Sequence, residues 1–124
     1  MRPISTKLTA QQIDIMKVVW QHGDATVRDV YEELRKQRPI AYTTVMTTMK
    51  TMEARGHLRK RTVGRAHVYQ AVEPQKRALR KIVKDFLDRV FNGSAEPLLA
   101  HLIEERRLSG KDLETLARMI REKK

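Results

Sequence analysis

The chain has 124 residues, a formal net charge of +11 and no cysteine, and its sequence pI is near 10.3. That length holds one domain, or a small domain with an appendage, and the charge favours nucleic acid or an acidic surface as the partner. The absence of cysteine excludes disulfides, thiolate metal sites and a cysteine nucleophile, and is compatible with a reducing cytoplasm. No apolar run approaches the ~20 residues that span a bilayer. The first residues, Met1-Arg2-Pro3-Ile4-Ser5-Thr6-Lys7, lack the apolar centre of a signal peptide. The expectation is a cytoplasmic protein with no membrane insertion.

In chain order, Thr9 opens a first helix with Gln12 as its reciprocal capping partner. Ile13, Met16 and Trp20 form its apolar stripe, and His22-Gly23-Asp24 ends it. Thr26 and Asp29 repeat the capping pattern for a second helix with the stripe Val27, Val30, Tyr31 and Leu34. Arg38-Pro39 breaks that helix, because proline disfavours the helical region in the residue before it. A third helix is predicted over 41–55. Trp20 is the expected centrepiece of the core these helices share.

The third helix is the most informative segment. Val45, Thr48, Met49 and Met52 fall on one side, with Tyr42 at its margin and counted among the expected DNA-binding residues. Thr43, Thr47 and Lys50 point the other way, flanked by Thr44, Met46 and Thr51. A solvated helix face ordinarily carries Glu and Lys. Hydroxyls and methyls suit close approach to base edges and thymine methyls in a DNA major groove. Exposed β-branched residues each cost roughly half a kcal/mol of helix propensity. That cost favours a functional face over a merely tolerated one. Met46 stands between base contact and core edge, and Lys50 between phosphate contact and solvated surface.

Glu53-Ala54-Arg55-Gly56 closes this helix with a glycine cap. A basic strand over 57–63, a Gly64-Arg65 turn and a second strand over 67–72 then form a hairpin. Arg59 and Arg61 share one strand face, with Lys60 opposite. Arg59, Arg61 and the tip residue Arg65 are placed to reach phosphates or the minor groove. The alternative is a hairpin that uses charge to avoid edge pairing. Helices plus basic hairpin describe a winged helix-turn-helix with a two- or three-stranded wing, over residues 1–73.

From Pro74 onward the pattern changes. Leu79, Ile82, Val83, Phe86, Leu87 and Val90 follow helical spacing until Asn92-Gly93 breaks it. Ser94 can cap the next helix, which tolerates Pro97 in its first turn and carries Leu98, Leu99, Leu102 and Ile103. Ser109 and Asp112 cap a last helix with Leu113, Leu116, Ala117 and Ile120. Three amphipathic helices in about 50 residues are too few to bury their own stripes, so 74–124 is expected to pair with the same segment of a second chain. The fold class is therefore mainly α, a winged helix-turn-helix followed by a three-helix dimerisation region. Lys76, Arg77, Arg80, Lys81 and Lys84 form a second basic cluster, either a phosphate footprint or a solvated face.

Catalysis is not expected. The four histidines have no spacing suited to a metal, and Asp85 and Asp88 have Lys81, Lys84 and Arg89 beside them, as in surface ion pairing. Neither a nucleophile–base pair nor a phosphate-binding glycine loop is present, and no cofactor is expected.

The order of helix, helix, Ala41-Tyr42-Thr43-Thr44-Val45-Met46-Thr47 helix, basic hairpin and three helices resembles the penicillinase-repressor family (BlaI/MecI type). The most specific parts are Ala41 to Thr47, the wing Gly64-Arg65-Ala66-His67-Val68-Tyr69, and Leu102-Ile103-Glu104 in the fifth helix. The resemblance implies a homodimeric transcriptional repressor, of the kind that regulates antibiotic resistance. It implies binding to inverted repeats with TACA/TGTA-like half-sites of double-stranded DNA, with Thr43, Thr44, Met46 and Thr47 in the base-reading turn. Several relatives carry a lysine, and an arginine or glutamine, where this chain has Thr43 and Met46, so its half-site is expected to differ. The family also implies relief of repression through a membrane-bound sensor metalloprotease, with cleavage in the fifth helix at an Asn-Phe bond. The matching pair here is His101-Leu102, whose chemistry differs. A winged-helix architectural protein binding nucleic acid by charge alone is the other reading of the residues, separated by the ratio of specific to random-DNA affinity.

Overall fold

A computed structural model describes residues 7–123. The N-terminal segment weighed as a signal peptide lies outside the described residues, apart from Lys7. The element order is α1 (Ala10–His22), α2 (Val27–Arg35), α3 (Tyr42–Ala54), β1 (Leu58–Val63), β2 (Ala66–Ala71), α4 (Gln75–Val90), α5 (Ala95–Glu104) and α6 (Gly110–Glu122). The fold is mainly α with a two-stranded antiparallel sheet, as expected of a winged helix-turn-helix.

Local hydrogen bonding sets most of the boundaries. Reciprocal capping boxes begin three helices: Thr9 with Gln12, Thr26 with Asp29, and Ser109 with Asp112. Each satisfies two backbone N–H groups that the first turn leaves open. Ser94 occupies the N-cap position of α5, but its side chain makes no capping bond. Gly56, at φ +88°, closes α3: its N–H reaches the Glu53 carbonyl at 3.0 Å and the His57 N–H reaches the Met52 carbonyl at 2.9 Å. This is the paired-bond C-terminal motif that requires a left-handed residue. Helix α2 ends at Arg35, ahead of the Arg38-Pro39 break expected to stop it. The N–H groups of Gln37 and Arg38 turn back onto the Leu34 carbonyl, and the Arg38 guanidinium reaches Asp14 at 2.7 Å.

The core of the first unit is built from Ile15, Val19, Val30, Leu34, Val45, Met49, Met52 and Leu58, all fully buried, with Tyr69 closing it from β2. Trp20 is not its centre. It is half-buried at the rim, and its indole N–H donates to the Glu73 carbonyl at 3.1 Å. An indole keeps a polar edge that needs a partner, so the rim suits it better than the middle. The buried face of α1 is correspondingly rotated: Ile15, Val18 and Val19 join Met16 inside, while Ile13 is only half-buried. Apolar residues cover more than half of this helix's circumference, and the neighbours it meets select the buried side.

Strands β1 and β2 pair from Leu58↔Ala71 to Val63↔Ala66 around the Gly64-Arg65 turn. Gly64 has φ +62° at the first turn position, the conformation of a type II′ hairpin that glycine adopts without steric cost. Ala25 adds a third, single-residue bridge to Tyr69, with bonds of 3.0 and 2.7 Å.

The chain divides into two compact units after Ile82, inside α4, whereas the sequence pattern puts the change at Pro74. The start of α4 is held to the first unit by Lys81, whose ammonium lies 2.6 Å from the largely buried Glu73 carboxylate. Extensive packing of one element on another joins α1, α2, α3, β1 and β2. In the second unit the chain turns through Asn92 (φ +52°) and Gly93 (φ +82°), and Phe86 meets Phe91 edge-on at 5.7 Å.

Candidate nucleic-acid interface

Helix α3 buries Val45, Met49 and Met52 and leaves Thr43, Thr44, Thr47 and Lys50 exposed, with Met46 half-buried between. The threonines divide by what their hydroxyls do. Thr48 donates to the Thr44 carbonyl at 2.7 Å and Thr51 to the Thr47 carbonyl at 3.1 Å. Among the described residues, no hydrogen bond engages the hydroxyls of Thr43, Thr44 or Thr47. The outward face is thus an uncharged surface with three available hydroxyls, bounded by the Lys50 ammonium.

Beside it runs a groove of ≈ 330 Å³ between α3, the N-terminal turn of α2 and the wing. Tyr42, Met46 and Lys50 line it from α3, Arg28 from α2, and Lys60 and His67 from the wing. Lys60 is opposite the buried Tyr69 in the sheet register and lies 3.9 Å from Glu53. His67 shares this face with Thr62, their side chains 3.4 Å apart. Three cations therefore border the groove that adjoins the hydroxyl face.

Arg59 and Arg61, expected to serve the interface, are on the other side of the wing. Arg59 lines a separate cleft of ≈ 390 Å³ with Trp20, Asp24 and Gln70. Arg61 is ion-paired to Asp24, which also accepts from the Gln70 amide at 2.5 Å. Those two bonds, Gln70 first, hold the Asp24 carboxyl below its ordinary value and brace the α1–α2 loop against the wing. Arg65 is exposed at the tip, clear of both clefts. Strand alternation alone puts Lys60 opposite the two arginines but leaves open which face meets α3. Counting in twos from the buried Leu58 puts Lys60 on its face of the sheet, which is the face turned to α3. Arg28 and His67 carry no comparable local signal.

Among the described residues, the stripes of α4, α5 and α6 are only partly covered. None of the residues in these helices is fully buried. Leu79, Val83, Phe86, Val90, Leu99, Ile103, Leu113, Leu116 and Ile120 are exposed, the last at 69%, while Ile82, Leu87, Leu98 and Leu102 are half-buried. Met119, outside the expected stripe, is also 54% exposed. In the last part of α5, His101 is exposed with its ring 6.0 Å from that of Phe91, and the Leu102 carbonyl accepts from the Arg107 N–H at 2.7 Å. Lys84 and Asp88, and Arg89 and Asp85, form ion pairs on the surface of α4. Among the described residues, no group of three or more His, Asp or Glu is placed to hold a metal ion, and no helix is long and apolar enough to cross a membrane.

Comparison with known proteins identifies the family. The penicillinase repressor family model matches residues 8–122. The chain is similar to the penicillinase repressor of Bacillus licheniformis, 25% identical over 95% of this chain and 92% of the relative. It is similar to the transcriptional regulator BlaI of Mycobacterium tuberculosis, 29% identical over 94% of this chain and 85% of the relative. The methicillin resistance regulatory protein MecI of Mammaliicoccus sciuri is 20% identical, over 94% of this chain and 95% of the relative. With the family match running from the first helix through the last, the chain belongs to the penicillinase repressor family, whose members are transcriptional repressors and not enzymes.

Proposed function

We propose that this protein is a cytoplasmic, homodimeric repressor that reads an inverted-repeat operator with the outward face of α3. Thr43, Thr44, Met46 and Thr47 meet base edges and thymine methyls, while Lys50, Lys60 and Arg65 meet phosphates. The observation that carries this reading is the uncharged face with three unengaged hydroxyls, bordered by cations. Binding by charge alone needs only the border.

Dimerisation through α4, α5 and α6 is supported by the apolar side chains left exposed there. Two tethered readers on one operator bind far more tightly than either alone, by as much as roughly 10²–10⁴. On that basis, repression is relieved by whatever separates the helices, including cleavage of α5 at or near His101-Leu102. The relatives are named for penicillinase and for methicillin resistance. By analogy, the regulated genes of this chain belong to an antibiotic response.

The test is selection of the full chain against random duplexes, followed by its affinity for the selected and the random sequence at one stated salt concentration. A selected palindrome bound about 10³-fold or more above random DNA is the expected result. Equal affinity for both would leave only a charge-driven architectural protein.

A further inference from the structure

Tyr42 heads the outward-facing part of α3, yet its ring is already engaged. It meets Tyr31 of α2 edge-on at 5.4 Å, and the Arg28 guanidinium lies over it, 5.4 Å from the ring centre. Arg35 covers Tyr31 in the same manner at 5.5 Å. Two cations thus flank a central pair of rings across the α2–α3 pair. A ring face stacked on guanidinium attracts it through the quadrupole and leaves the N–H edges free to donate. Arg28 is the one member of this stack whose charge also lines the groove shared by Met46, Lys50 and Lys60.

We propose that Arg28 is a phosphate contact supplied by α2, and that Tyr42 is the positioning residue that holds it there and reads no base itself. The proposal rests on α3 being the DNA-facing helix. Its chemistry is that of a planar, permanently charged fork aimed at a phosphodiester oxygen. Among the described residues, the acid paired with Arg28 is Glu32, 3.3 Å away, in an exposed pair spaced four residues along α2. Such pairs are weak enough for phosphate to displace. Glu32 also lies 3.5 Å from Arg35, so its charge keeps a partner when Arg28 turns to DNA.

Titration of the full chain on selected and random duplexes across a salt series tests this, with thermal melting of each variant to confirm folding. Arg28→Ala should weaken both duplexes alike and flatten the slope of log K against log salt by about 1.8, which is about 0.9 for each of the two copies in the dimer. The advantage of the wild type then shrinks roughly twelvefold between about 50 and about 200 mM salt. Tyr42→Leu should weaken both duplexes by at most about thirtyfold, the limit set by losing an exposed cation–π interaction in each of two protomers, and should add nothing once Arg28 is alanine. Tyr42→Phe, which keeps the ring, should restore the binding lost in Tyr42→Leu. An unchanged slope in Arg28→Ala overturns the phosphate contact. Additive losses in the Arg28/Tyr42 double variant, or a loss confined to the selected duplex in Tyr42→Phe, overturn the positioning role. Failure of the wild type to prefer any sequence would instead overturn the reading of α3, and is visible before any variant is made.

Discussion

Replacing Thr47 by alanine separates the two reasons a threonine can stand on an exposed helix face, because they have opposite signs. Thr47 is exposed in the middle of α3, and no described residue hydrogen-bonds its hydroxyl. The neighbouring bond from Thr51 uses the Thr47 carbonyl and survives the substitution. Folding loses nothing that the structure displays and gains helix propensity, roughly half a kcal/mol. For a domain of this size that raises Tm by about 2–4 °C. DNA binding should move the other way. Each base interaction removed is worth about 1 kcal/mol at the low end. With two copies on an inverted repeat, the selected duplex should bind about 2 kcal/mol less tightly, roughly thirtyfold. Random DNA, held through phosphates, should bind as before. Fluorescence anisotropy on both duplexes at one salt concentration, with a thermal melt of the same samples, measures all three quantities. Equal losses on both duplexes, or a fall in Tm of similar size, would refute the base-reading role.

Arg65→Ala at the wing tip should weaken selected and random duplexes together and flatten the salt slope by about 0.9 for each phosphate no longer neutralised; an unchanged slope makes Arg65 an ordinary turn residue. A pH dependence follows from His57, which is 6% exposed with Nε2 unpartnered. Burial, helped by the Arg55 charge and opposed by Glu73, pushes its imidazole below the ordinary 6.5. A base lowered by folding is protonated first in the unfolded chain, so stability present above pH 6.5 is lost as pH falls from 6.5 toward the lowered value. Tm should therefore fall between about pH 7 and about pH 5 more steeply in the wild type than in His57→Leu, and parallel profiles would sink this account. Residues 1–82, carrying the whole first core without α5 and α6, should sediment as a monomer, as should the full chain with Leu116→Asp; a stable dimer in either would remove the C-terminal helices from the interface.

The sequence by itself determined whatever is settled within one or two turns of backbone. Thr9 with Gln12, Thr26 with Asp29 and Ser109 with Asp112 fall on three helix starts, because a capping box closes over three residues and needs no help from elsewhere. Gly56 and Gly64 were legible for the same reason, being positions where the chain needs positive φ. The hydroxyl face of α3 was legible because helical periodicity sorts it from Val45, Met49 and Met52. Tertiary structure decided what depends on distant partners. Burial of Leu58 turns the Lys60 face of β1 to the groove, and Asp24, 37 positions away in sequence, pairs with Arg61 on the other face. Glu73 holds Trp20 at the rim from 53 positions away. Arg28 comes beside Met46 and Lys50 only because α2 and α3 pack together over the buried Leu34 and Val45. Local hydrogen bonds write themselves into adjacent letters, whereas the side of a strand or helix that meets a neighbour is chosen by burial of the whole core at once.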